Sequence, residues 1–171
     1  MFVESPELEG PGRFPPLTLT IRDGDAGTDD TVDAMRAVAM TAAELPRVRE
    51  HAARLSSGGA RAVYNFLLSR VKFRPDPRGR EKIRHPNRML AEVDATGGTQ
   101  GDCDDSVTLA VALLLAMGLR PVVVVMAKDP GRFVHTYTGV LEGMRYVPMD
   151  PQEGFPFGTE SPAHRRKVYA V

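Results

Sequence analysis

The sequence predicts an α+β fold: helices first, then one apolar helix packed on a small antiparallel sheet, between extended ends. Three observations predict it. In the first third of the chain, Val32, Met35, Val38, Ala39, Ala42 and Leu45 recur at helical spacing. Further on, residues 107–117 are almost all apolar and stop at Gly118, a residue suited to a helix C-terminus, so this helix reads as buried. After it come three stretches of strand character, 121–127, 133–141 and 144–149, divided by Lys128-Asp129-Pro130-Gly131 and by Glu142-Gly143.

Taken in order, residues 1–27 read as an extended arm, because Pro6, Pro11, Pro15, Pro16 and several glycines interrupt any regular element. Within it, residues 17–22 alternate apolar and polar, which suits one edge strand. Residues 23–27 follow as a turn. Their aspartates and glycines bear on calcium, but the loop lacks the full ligand spacing and a closing glutamate, so a plain turn is expected. Thr28, Asp29 and Asp30 offer caps for a helix, Pro46 starts a second one ending near Leu55, and a third runs over 60–70 with Val63, Phe66 and Leu67 facing inward. These apolar stripes read as core. Residues 71–89 then hold Lys72, Arg74, Arg78, Arg80, Lys82, Arg84 and Arg88 among three prolines. A phosphate or nucleic-acid patch is one reading. A solvated loop is the preferred one, because base stacking needs several aromatics and only Phe73 is interleaved. Pro86 opens a short helix through Val93. The tail from 158 to 171 carries a small basic cluster, Arg165-Arg166-Lys167.

A chain of 171 residues fits one domain with a real core. Its 22 basic and 22 acidic residues balance, which gives no global argument for nucleic acid or an anionic membrane. One cysteine excludes an internal disulfide framework and a cysteine-rich zinc site, and is compatible with a reducing compartment. The first residues lack a basic region followed by an apolar core, so no signal peptide is expected. The apolar runs 107–117 and 121–127 are too short to span a bilayer.

The chemistry centres on that cysteine. Asp102 is a suitable N-cap, which sets Cys103 in the first turn of the apolar helix, near the positive end of its dipole. That position favours the thiolate, the nucleophilic form. Asp102, Asp104 and Asp105 act the other way if they face the sulfur, so a catalytic reading needs them turned toward backbone amides or basic partners. His135 and Asp150 fall on successive strands at equal distances from the Glu142-Gly143 turn, which sets them nearly opposite across the ladder. A thiol, a base and an orienting carboxylate form the general arrangement for nucleophilic catalysis. Taken singly, a cysteine at a helix start is a small buried residue and a histidine in a strand is structural. His51, His85 and His164 show no partner pattern and read as surface residues, and a metal site using Cys103 and His135 lacks a close ligand pair.

Gly101-Asp102-Cys103-Asp104-Asp105 and the apolar helix after it resemble the first motif of the transglutaminase-like superfamily, papain-fold thiol enzymes whose Cys, His and Asp come from a helix and two successive strands. Gly118-Leu119-Arg120-Pro121, Phe133-Val134-His135-Thr136-Tyr137 and Tyr146-Val147-Pro148-Met149-Asp150-Pro151 resemble the later motifs. Residues 71–77, with Glu81 and Pro86, look like the segment before the cysteine in the version found in phage and prophage proteins. The resemblance covers roughly residues 28–157. It departs in one respect: many members carry tryptophans after the histidine and before the aspartate. This chain has none and offers Tyr137 and Tyr146, so its cleft wall differs from theirs.

The resemblance implies a papain/transglutaminase-like core and a Cys103–His135–Asp150 triad acting on amide or ester carbonyls through a thioester, which water or an amine then resolves. The backbone N–H of Cys103 is the default oxyanion donor, with Gln100 as a side-chain candidate. A protein or peptide-like substrate is implied, with other phage structural proteins as partners, in the cytoplasm or a virion. No cofactor, metal, nucleic acid or membrane is expected. The alternative is a non-catalytic phage or prophage assembly protein that keeps this fold.

Overall fold

The structure is a computed structural model, and it describes residues 14–20, 24–77 and 81–171. Among the described residues, five α-helices and eight strands follow in the order β1 (Leu17–Leu19), α1 (Asp25–Ala43), α2 (Pro46–Leu55), α3 (Gly59–Arg70), β2 (Val71–Phe73), β3 (Glu81–Ile83), α4 (Pro86–Thr96), β4 (Thr99–Gly101), α5 (Cys103–Ala116), β5 (Pro121–Ala127), β6 (His135–Glu142), β7 (Arg145–Met149) and β8 (Arg165–Ala170), with one 3-10 turn, Ser56–Gly58, between α2 and α3. The architecture is α+β. The strands form one four-stranded antiparallel sheet, ordered β7-β6-β5-β8, and two minor pairs, antiparallel β1-β3 and parallel β2-β4.

Helix α5 is the centre of the core. It is buried from Asp105 through Leu114, because its sequence offers no polar face for water to solvate. Helices α1 to α4 pack around it, and Val123, Val125, Val140, Val147 and Met149 from the main sheet join the same apolar cluster. Leu109, Leu113 and Leu114 are fully buried there, each stabilising the fold by about 1.5–3 kcal/mol. The opposite face of the sheet holds a second cluster, Val122, Val124, Met126 and Tyr137, with Leu141, Tyr146 and Ala163 against it. Strand β5 is therefore buried along its whole length, which explains its unbroken β-branched run.

Several elements differ from expectation. The turn expected at 23–27 is largely the first turn of α1: Gly24 takes φ 71° as its N-cap and the helix starts at Asp25. Residues 21–23 and most of the expected arm, 1–13, lie outside the described residues. Helix α4 runs on to Thr96, where Gly97 caps it at φ 82°. Strands β2 and β3 arise where a loop was expected; at three residues each, they are too short to display alternation.

The expected tail contributes β8, which pairs along β5. Its basic residues are an edge strand's charges, and successive ones find partners on opposite faces. Arg165 forms a two-bonded pair with Asp25 at 2.9 Å, and Lys167 pairs with Asp29, both on α1. Between them, Arg166 donates to Tyr137 Oη on the far face.

The hairpin turn also moves by one residue. Glu142 pairs with Arg145, so the two-residue loop is Gly143-Met144, with Gly143 at φ 62° in the first loop position as a type II′ turn requires.

Candidate active site

The N-terminus of α5 is built by a capping box. Asp102 Oδ1 accepts from the amides of Asp104 at 3.0 Å and Asp105 at 3.1 Å, and Asp105 Oδ2 accepts in return from Asp102 N–H at 3.3 Å. Asp105 Oδ1 also accepts from Arg84 N–H at 2.6 Å, which ties the start of the helix to the segment after β3. Burial pushes the Asp105 carboxyl up to about 6, against the amides and the Arg84 cation that favour its charge. The glycine of the motif has a steric reason. A Cβ at Gly101 would lie 2.6 Å from Asp105 Cβ and 2.8 Å from its Oδ2.

Two of the three aspartates are thus turned toward backbone amides, as a reactive thiol would need. The third is not. Cys103 Sγ lies 3.7 Å from Asp104 Oδ1, within reach of a weak thiol-to-carboxylate hydrogen bond. Cys103 and Asp104 are both half-buried.

His135 and Asp150 are brought together directly. Nε2 of His135 lies 3.0 and 2.9 Å from the two carboxylate oxygens of Asp150, whose residue is 1% exposed. Because the ladder ends at Thr138–Met149, its register continues to Tyr137 opposite Asp150. The contact is therefore diagonal by two residues rather than nearly opposite, still within side-chain reach. Asp150 Oδ1 also accepts from Glu153 N–H at 3.4 Å, so the turn after β7 helps to hold the carboxylate. With Nε2 engaged, Nδ1 is the ring position for a second partner. The His135 ring is stacked on Tyr137, centroids 6.0 Å apart, the residue that shares its parity on β6.

Cys103 and His135 line one groove of about 1020 Å³. Its walls come from Thr18 of β1 and Thr20 after it, Thr28 of α1, Phe73 of β2 and Phe133 ahead of β6. Arg165 stacks its guanidinium over Phe133 at 4.2 Å and fixes that wall to α1 through Asp25. A much smaller pocket lies between Cys103, Ser106, Thr138, Met149, Asp150 and Gln152.

Other expectations change. Tyr137 and Tyr146 belong to the cluster on the far face of the sheet and do not form the groove wall, although Tyr137 also borders the small pocket. Tyr137 Oη donates to Glu160 at 2.7 Å, and burial pushes that phenol up to about 12. Gln100 is exposed on β4, its side-chain oxygen accepts from Arg74, and it does not line the groove.

His51 is buried rather than at the surface: Nε2 meets Asp94 at 2.8 Å, linking α2 to α4, and burial holds its imidazole below the usual value. His85 is half-buried, caps α4 and stacks on Phe14, while His164 is exposed. In the basic segment, Arg84 and Arg88 both meet Glu92, while Arg78 and Arg80 lie outside the described residues. Among the described residues no group of three His, Cys, Asp or Glu is arranged to hold a metal ion, and no helix is long and apolar enough to cross a membrane.

The residue that sequence reasoning missed is Gln152. Its amide reaches the start of α5, and no local pattern in Asp150-Pro151-Gln152 marks it.

Compared with known proteins, the chain matches no family model, no curated protein and no solved structure.

Proposed function

We propose that this protein is a cysteine-dependent hydrolase or acyltransferase of the transglutaminase-like kind, in its phage or prophage version, acting on amide bonds of a protein or peptide-like substrate. The observation that carries the reading is the His135–Asp150 bond at the edge of a groove that also exposes Cys103 at a helix N-terminus. Asp150 holds Nε2 of the imidazole, so Nδ1 takes the proton from Cys103 Sγ. The thiolate then attacks the substrate carbonyl carbon and a C–S bond forms. Negative charge collects on the carbonyl oxygen beside the first turn of α5, where backbone N–H groups and the helix dipole stabilise it. Collapse of this intermediate breaks the C–N bond, and the leaving amine takes its proton from the His135 imidazolium. Water, or a second amine, gives a proton to His135 and attacks the thioester. The products are the acid or a new amide, and the thiol is restored.

A second reading, a non-catalytic assembly protein of a phage or prophage, draws on two observations. Cys103 Sγ contacts Asp104, whose charge opposes a thiolate. His135 shares a face of β6 with Tyr137, whereas α5 packs on the other.

Alkylation of Cys103 by iodoacetamide separates the two. At mildly acidic pH, below the ordinary thiol pKa of about 8.5, a thiol activated by His135 is labelled rapidly, and His135→Ala abolishes the advantage. Slow labelling that ignores His135 would instead leave the assembly reading.

A further inference from the structure

The amide of Gln152 touches the nucleophile helix at two points. Nε2 donates to the carbonyl oxygen of Asp102 at 2.9 Å and to Ser106 Oγ at 2.7 Å, which engages both of its hydrogens on one turn of α5. The same Asp102 oxygen accepts the first bond of the helix, from Ser106 N–H at 3.1 Å. Gln152 stands in the turn directly after Asp150, and it lines the small pocket together with Asp150 and Cys103.

The carbonyl of Asp102 and the N–H of Cys103 belong to one peptide unit, which is planar and trans. Its oxygen and its hydrogen point in opposite directions, so anchoring the oxygen aims the N–H. Two donors on the oxygen also draw electron density from the amide, which strengthens its N–H as a donor. In the mechanism above that N–H meets the negative charge developing on the substrate oxygen.

Resting on that reading of the site, we infer that Gln152 is a positioning residue for oxyanion binding: from the turn that carries Asp150, its amide aims and polarises the Cys103 N–H through the Asp102 carbonyl. It does not touch substrate. It couples the carboxylate that orients the base to the peptide that receives the charge.

Two reactions of Cys103 in the intact chain test this. Acylation by p-nitrophenyl acetate passes through a tetrahedral oxyanion. Alkylation by iodoacetamide displaces iodide at a saturated carbon and forms none. Gln152→Met keeps the length of the side chain without its N–H groups, and Gln152→Leu removes them with a second uncharged side chain. In both variants acylation should fall about tenfold, less than the hundredfold or more expected for loss of a whole oxyanion donor, while alkylation and its pH profile stay within about twofold of wild type. Acylation at the wild-type rate in both variants would overturn the inference, and so would equal losses in the two reactions, which would make Gln152 a support of the fold alone. Wild-type protein that is not acylated at Cys103, judged against Cys103→Ala, would overturn the proposed activity itself and the inference with it.

Discussion

Replacing Asp104 by asparagine should make Cys103 a more acidic thiol. The carboxylate oxygen stands 3.7 Å from the sulfur. At that distance two unit charges interact by about 1 kcal/mol in bulk water and about 4.5 kcal/mol at an effective dielectric of about 20. Both residues are half-buried and border an open groove, so the screened end of this range applies. About 1.5 kcal/mol corresponds to about one pH unit. The rate of iodoacetamide alkylation, followed against pH, should therefore rise with a midpoint about one unit lower in Asp104→Asn than in wild type. Asparagine keeps the shape of the side chain, and losing one acid from the first turn of α5 should lower stability by only about 0.3–1 kcal/mol, read from thermal unfolding. A midpoint that stays put, or moves up, would refute the argument, because it would mean that the carboxylate does not face the sulfur in solution.

Asp105 gives a prediction about stability. Its carboxyl rises from 3.8 to about 6 on burial. Between those values the folded chain holds more protons than the unfolded one, so stability falls as pH rises through that window, by about 3 kcal/mol in all. Asp105→Asn cannot titrate there, and denaturant unfolding at several pH values should give it a flatter profile than wild type; equal slopes would refute the assignment. Gly139→Ala tests the far face of the sheet. An added Cβ would lie 2.1 Å from Tyr146 Cε2, with β6 and β7 paired at that point, so overpacking should cost about 1–3 kcal/mol in chemical denaturation. A variant as stable as wild type would show that the ring can move aside.

The parts legible in the sequence are those whose signal is local. The apolar run of α5 can only be buried, and Asp102 sits where a helix start wants an acceptor, so the helix, its cap and the place of Cys103 follow from composition and spacing. Pro46 and Pro86 mark helix starts for an equally local reason. Strand β8 was hidden because its charges answer to Asp25, Asp29 and Tyr137, none of which is near in sequence. His51 was misread because its partner, Asp94, lies 43 residues away. The His135–Asp150 contact was legible even with the turn misplaced by one residue, since side chains reach diagonal neighbours as well as opposite ones. Gln152 was not legible at all. Its partners are on another element, and a glutamine carries no pattern of its own.

The bond between His135 and Asp150 spans only 15 residues of chain, most of them in one hairpin. Closing so short a loop loses little chain entropy, and local contacts of this kind form early in folding. Cys103 comes from a separate helix that must first be enclosed by four others and by the sheet. The imidazole–carboxylate couple is thus set by one hairpin and the turn after it, whereas the place of the sulfur is set by the packing of the whole core. Substitutions in that core therefore bear on where the sulfur sits more than on the bond between His135 and Asp150.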